Sequence, residues 1–156
     1  MSRMAQGMVR RGSEIWQYHQ TEPNYHSDWR NKKRKGKNGL FRLIQRLDGF
    51  VAAEFPYTGA EMVTLPFTFE GNRLELNIDT EATGYGQVGF LDVKGNPIPG
   101  FSVDDCIYIN GDFIGTELEW LDKGEDVSEL AGKPVRLHFR MRGCRLYAMQ
   151  FVRAEK

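Results

Sequence analysis

The sequence has little of what builds covalent or metal-based frameworks. In 156 residues it holds two cysteines, Cys106 and Cys144, and three histidines, His19, His26 and His138. Two thiols make at most one bridge, so a disulfide scaffold and a four-cysteine zinc site are both excluded. The histidines show no HxH or HExxH spacing, which removes the usual histidine-based metal centres. No cofactor is implied. No run approaches the roughly 18 apolar residues of a membrane span, and the N-terminus, with Arg3, Arg10 and Arg11, lacks the apolar stretch of a signal peptide. We therefore expect a soluble chain with no membrane partner and no export signal. Long helices are also disfavoured, because 17 glycines and 6 prolines are spread singly along the chain.

What is present is the material of a folded β protein. Hydrophobic residues make up 40% and aromatics 12%, well above what a disordered chain carries. Leu74, Leu76 and Ile78 alternate with Glu75 and Asn77, the period-2 pattern of a half-buried antiparallel strand. Val135, Leu137, Phe139 and Met141 repeat it, placing His138 with Arg136 and Arg140 on a solvated basic face. Further strands are expected at Leu40–Arg46, Phe50–Glu54, Glu61–Leu65, Gly86–Val93, Cys106–Ile109, Thr116–Trp120 and Arg145–Val152. Turn residues such as Lys94-Gly95-Asn96-Pro97 and Asn110-Gly111-Asp112 separate several of them. Gly84-Tyr85-Gly86 reads as a hairpin or a bulge. Asp126–Gly132 is the one helical candidate, a short turn that Gly132 ends. This spacing implies an all-β fold, a two-sheet antiparallel sandwich or a barrel.

Charge divides the chain in two. Residues 1–46 hold 11 Lys and Arg against 3 Asp and Glu, and the remainder holds 10 against 18, so a net charge of zero conceals a basic start and an acidic body. The densest run is Arg30, Lys32, Lys33, Arg34, Lys35 and Lys37. Such a run repels itself and stays a solvated loop. Nucleic acid is the sharper reading, yet single-strand binding adds stacking aromatics to a basic groove, and only Trp29 flanks this run. Residues 1–38 therefore read as an N-terminal extension, more mobile than the rest, and residues 39–156 as the β domain.

Catalytic motifs are missing. There is no GxSxG, Cys106 has no evident histidine partner, and Gly84-Tyr85-Gly86 is too short to cradle phosphate. Glu75, Asp79, Glu117 and Glu119 alternate with apolar residues and read as solvated strand faces. Polar loop chemistry is densest from Phe101 to Asp112. Asp104, Asp105, Asn110 and Asp112 do not have the spacing of a calcium loop and read first as turn formers. Beside them, Trp120, Tyr108, Tyr85 and Tyr57 offer flat faces on which a sugar ring could stack. The candidate carbohydrate-binding residues are thus Trp120, Tyr108, Asp104, Asp105, Asn110 and Asp112. The competing reading puts Trp120 in the core.

Several segments together carry a resemblance. They are Gln45-Arg-Leu-Asp-Gly-Phe-Val51, Asn96-Pro-Ile-Pro-Gly-Phe-Ser102, Asp105-Cys106, Gly111-Asp112, Trp120, and Ser128 through Phe139 with Leu146-Tyr147. They resemble the C-terminal β-sandwich that follows the five-bladed β-propeller in bacterial proteins similar to glycoside hydrolase family 32. The likeness spans roughly residues 40–153, and Gly7–Tyr18 looks like the closing strand of a last propeller blade. It implies a concanavalin-like jelly roll that packs on a propeller-type catalytic domain and sometimes contacts carbohydrate. In that family the catalytic carboxylates lie on the propeller, so no catalytic residue carries over to this chain. Resembling proteins are often exported, which leaves the compartment open. Two other functions stay open as well: a small carbohydrate-active hydrolase using surface carboxylates, and nucleic-acid binding through residues 30–37.

Overall fold

The computed structural model describes residues 2–21 and 39–154. The basic run Arg30–Lys37 and the neighbouring Trp29 lie outside the described residues. The chain divides into two compact units, Met1–Gly49 and Phe50–Lys156. Each contains one antiparallel sheet, and among the described residues there is no α-helix. The chain is therefore all-β with two antiparallel sheets, the fold class expected from the strand periodicity.

The first unit is built on one strand. After β1 (Ser2–Met4) and β2 (Val9–Arg11), β3 (Glu14–Thr21) pairs with both on one edge and with β4 (Gly39–Arg46) along its whole other edge. A two-residue turn, Gly12-Ser13, joins β2 to β3, and Gly12 takes the positive φ of 61° that such hairpins need. Leu40–Arg46, which the sequence groups with the β domain, thus pairs here with the strand upstream. None of the described residues in this unit is buried. Large apolar side chains remain exposed on both faces: Val9, Leu40 and Ile44 on one, Met4, Phe41 and Leu43 on the other.

The second unit holds the core. Its strands are β5 (Ala53–Phe55), β6 (Ala60–Val63), β7 (Arg73–Leu91), β8 (Asp112–Glu117) and β9 (Arg136–Val152). β9 is central: β7 lies along one edge, β5 and β6 share the other, and β8 extends the sheet beyond β7. The periodicity predicts two strands where β7 runs and two where β9 runs, and the structure joins each pair into one long bent strand. The bend lies at the irregularity between Thr80 and Tyr85, so Gly84-Tyr85-Gly86 belongs to a bulge rather than a hairpin. There the two backbones nearly touch, since a Cβ on Gly84 would stand 2.1 Å from the Gly143 carbonyl oxygen. Gly143 itself has a φ of 52°. Because of the bend, Leu74, Leu76 and Ile78 from one half of β7 share a core with Val88 and Phe90 from the other.

That core is aromatic at its centre. The Trp120 ring lies 5.5 Å from Phe90 and 5.6 Å from Phe101, and the Phe90–Phe101 contact is edge-to-face at 5.9 Å. Each such side chain contributes on the order of 1.5–3 kcal/mol by leaving water. Cys106 and Cys144 are both buried and both free, and burial pushes each thiol up to about 11. Asp126–Gly132 is not an α-helix. It holds a single 3-10 turn, Ser128–Leu130, preceded by Asp126, whose carboxylate accepts the Ser128 N–H at 2.8 Å.

Candidate functional site

The polar loop from Phe101 to Asp112 is where the sequence concentrates candidate ligand-binding groups, and the structure disperses most of them. Two hydrogen-bonded crossings hold it. Gly86 and Ile109 exchange both backbone hydrogen bonds at 2.9 Å, and Asp105 and Ile107 pair with Leu121 and Glu119. Asp105 caps a local turn, its carboxylate accepting the Ser102 N–H at 2.9 Å and the Ser102 hydroxyl at 2.7 Å. Asp104 reaches away to Arg140, whose guanidinium donates to it at 2.5 Å. Asp112 starts β8 opposite Asp79. Asn110 donates to the Gly84 carbonyl at 2.6 Å and to the Thr80 hydroxyl at 3.3 Å, so its amide locks the loop onto the bend of β7.

Trp120 corrects the stacking reading. Its side chain is fully buried, and its indole N–H donates to the Val88 carbonyl at 3.0 Å. With no face in solvent it has nothing to offer a sugar, and the core role prevails. The physical signal was in the alternation: Leu118 and Trp120 point inward while Glu117 and Glu119 point out.

Tyr108 and Asn110 do come together. They line a shallow groove of about 170 Å³ with Ile107, Phe113, Glu117 and Glu119. Tyr108 is 66% exposed and braced edge-on by Tyr85, with ring centroids 5.2 Å apart. Tyr57 lies elsewhere, bonded to Glu81. Phe113, Glu117 and Glu119 are groove residues that the sequence reading did not assign; Glu117 and Glu119 appeared there only as solvated strand positions. The groove is smaller than the ~300–1,000 Å³ of enclosed ligand sites, so it can serve as an open platform. A sugar ring laid on Tyr108 would meet carboxylates that accept its hydroxyl hydrogens.

A second polar cluster bears on catalysis. Glu61 accepts from His138 at 3.1 Å and from Arg140 at 3.3 Å, and Arg140 also holds Asp104. The His138 hydrogen bond, helped by Arg140, draws the Glu61 carboxyl below its ordinary range. That direction keeps it ionised, the opposite of what a carboxylic proton donor requires. His138 therefore stands on a charged sheet face as its strand position predicts. Among the described residues no three His, Cys, Asp or Glu side chains converge in a way that would hold a metal ion. The chain matches no protein-family model, no curated protein and no solved structure.

Proposed function

We propose that this chain is a non-catalytic accessory β module of a glycoside-hydrolase-like protein, packing against a propeller-type catalytic domain. The observation that carries this reading is the first sheet, which buries none of its described residues yet exposes apolar side chains on both faces. A sheet of that kind needs a covering partner. The motifs between Gln45 and Tyr147 supply the partner's identity by resemblance, and a jelly-roll arrangement of the β domain belongs to the same reading. The test is to read the coding DNA upstream of Met1 and to coexpress any propeller domain it encodes with this chain. Stoichiometric co-elution, with loss of binding of an apolar dye to the chain, is expected. Absence of a propeller frame there, or separate elution, would overturn the proposal.

Carbohydrate contact is the secondary part of this function and rests on the Tyr108 groove. Tyr108→Ala is expected to remove binding to neutral glycans on an array while leaving the melting temperature within about 2 °C, because an exposed ring contributes little to stability. Glycan binding that survives the substitution would take the groove out of consideration.

A further inference from the structure

The register of the first sheet sorts its side chains by charge. Arg11, Trp16 and Arg42 stand on one face with Tyr18, Glu14 and Arg46, since Arg11 is opposite Glu14, Glu14 opposite Arg46 and Tyr18 opposite Arg42. The Arg11 guanidinium lies 5.0 Å from the centre of the Trp16 ring, and that of Arg42 lies 4.0 Å from it. Both arginines are exposed. The acid on this face, Glu14, accepts the indole N–H of Trp16 at 2.7 Å. Positive charge is thus in excess, and two of its carriers are seated on an aromatic ring.

From this arrangement we infer that the Trp16 face is a binding site for a linear anionic polysaccharide, with Arg11 and Arg42 gripping its sulfate or carboxylate groups. This goes beyond the packing role proposed above and assigns one face of the same sheet, the one that Trp16 shares with Val9, Leu40 and Ile44, leaving the face of Met4, Phe41 and Leu43 for the packing partner. Guanidinium groups take oxyanions through paired N–H donors, and an arginine already resting on an indole loses less freedom when the anion arrives. The same contacts argue against single-stranded nucleic acid as the occupant. Base stacking needs an open aromatic face, and at Trp16 a guanidinium sits at the distance a base would take. A polysaccharide needs no such face, only anionic groups and a flat surface to lie along.

The experiment uses the full chain on immobilised heparin and polygalacturonate, with neutral dextran and an oligothymidylate of equal charge as competitors. Heparin reports sulfate recognition and polygalacturonate reports carboxylate recognition. Wild type is expected to bind at least one of the two, and the competitors to displace it poorly. The deciding variant is R11K/R42K, which keeps the charge and removes the forks. It should bind about tenfold more weakly with an unchanged circular dichroism spectrum. A companion variant, K33A/R34A/K35A, lowers the charge of the basic run in the sequence and should weaken binding less than R11K/R42K does. Undiminished binding by R11K/R42K, no binding by wild type, or tighter binding of the oligothymidylate would each overturn the inference.

Discussion

Trp120→Ala is expected to cost roughly 3–5 kcal/mol of folding stability, the range for removing a large aromatic side chain from a close-packed interior. Two losses add together. The indole leaves a void between Phe90 and Phe101, whose rings both contact it, and the Val88 carbonyl loses its buried donor. Trp120→Phe separates the two, since it restores most of the volume and none of the hydrogen bond. It should cost about 1–3 kcal/mol, chiefly from the unpartnered carbonyl. Denaturant titration followed by far-ultraviolet circular dichroism measures both. A loss below about 1 kcal/mol for the alanine variant would mean that Trp120 is not the centre of the core.

Gly84→Ala is expected to be the most damaging single-methyl addition in the second unit. The new Cβ would meet the Gly143 carbonyl oxygen at 2.1 Å and that of Arg142 at 2.8 Å. Both obstacles are backbone, so no rotamer change relieves them and β7 and β9 must separate at their bend. The cost should reach or exceed about 3 kcal/mol, the upper end of overpacking penalties. Gly86→Ala is the internal control, because its Cβ would approach only the tips of Ile78 and Met141, at 3.1 and 3.5 Å. Those flexible ends can turn aside. The two substitutions should therefore differ by about 2 kcal/mol or more in a denaturant titration, and equal midpoints would show that the close crossing of the strands is not a packing constraint.

Local periodicity was a good guide to which residues face inward. Leu74, Leu76, Ile78, Leu137, Phe139 and Met141 are all essentially inaccessible, as their alternation requires. Continuity was not legible. Gly84 and Gly143 interrupt the alternation just as a reversing turn would, and only the partner strand decides that the chain bends and carries on. Pairing was equally hidden for Leu40–Arg46, since its neighbour across the sheet lies beyond the intervening basic run. For the candidate site, Tyr108 and Asn110 line one groove, whereas loop composition could not show that Asp104 and Asp105 spend their carboxylates on Arg140 and Ser102. The Arg11–Trp16–Arg42 stack needed the register of three strands. Nothing in the linear spacing of these residues announces it.

The central place of β9 has a consequence for how the protein comes into being. Arg73 pairs with Val152 and Leu91 with Arg136, while Ala53 and Ala60 also find their partners on that same last strand. A nascent chain that has not yet released residues 136–152 from the ribosome has no central strand on which β5, β6 and β7 can assemble. Meanwhile β7, even if paired with β8 on one side, waits with its apolar side chains and its β9-facing edge in water, the condition that invites association between neighbouring chains and recruits chaperones. Closure across such sequence distances belongs to the slow, millisecond-to-second class of folding. Synthesis rate and chaperone supply, more than the final stability of the core, would then set how much of this protein a cell recovers in soluble form.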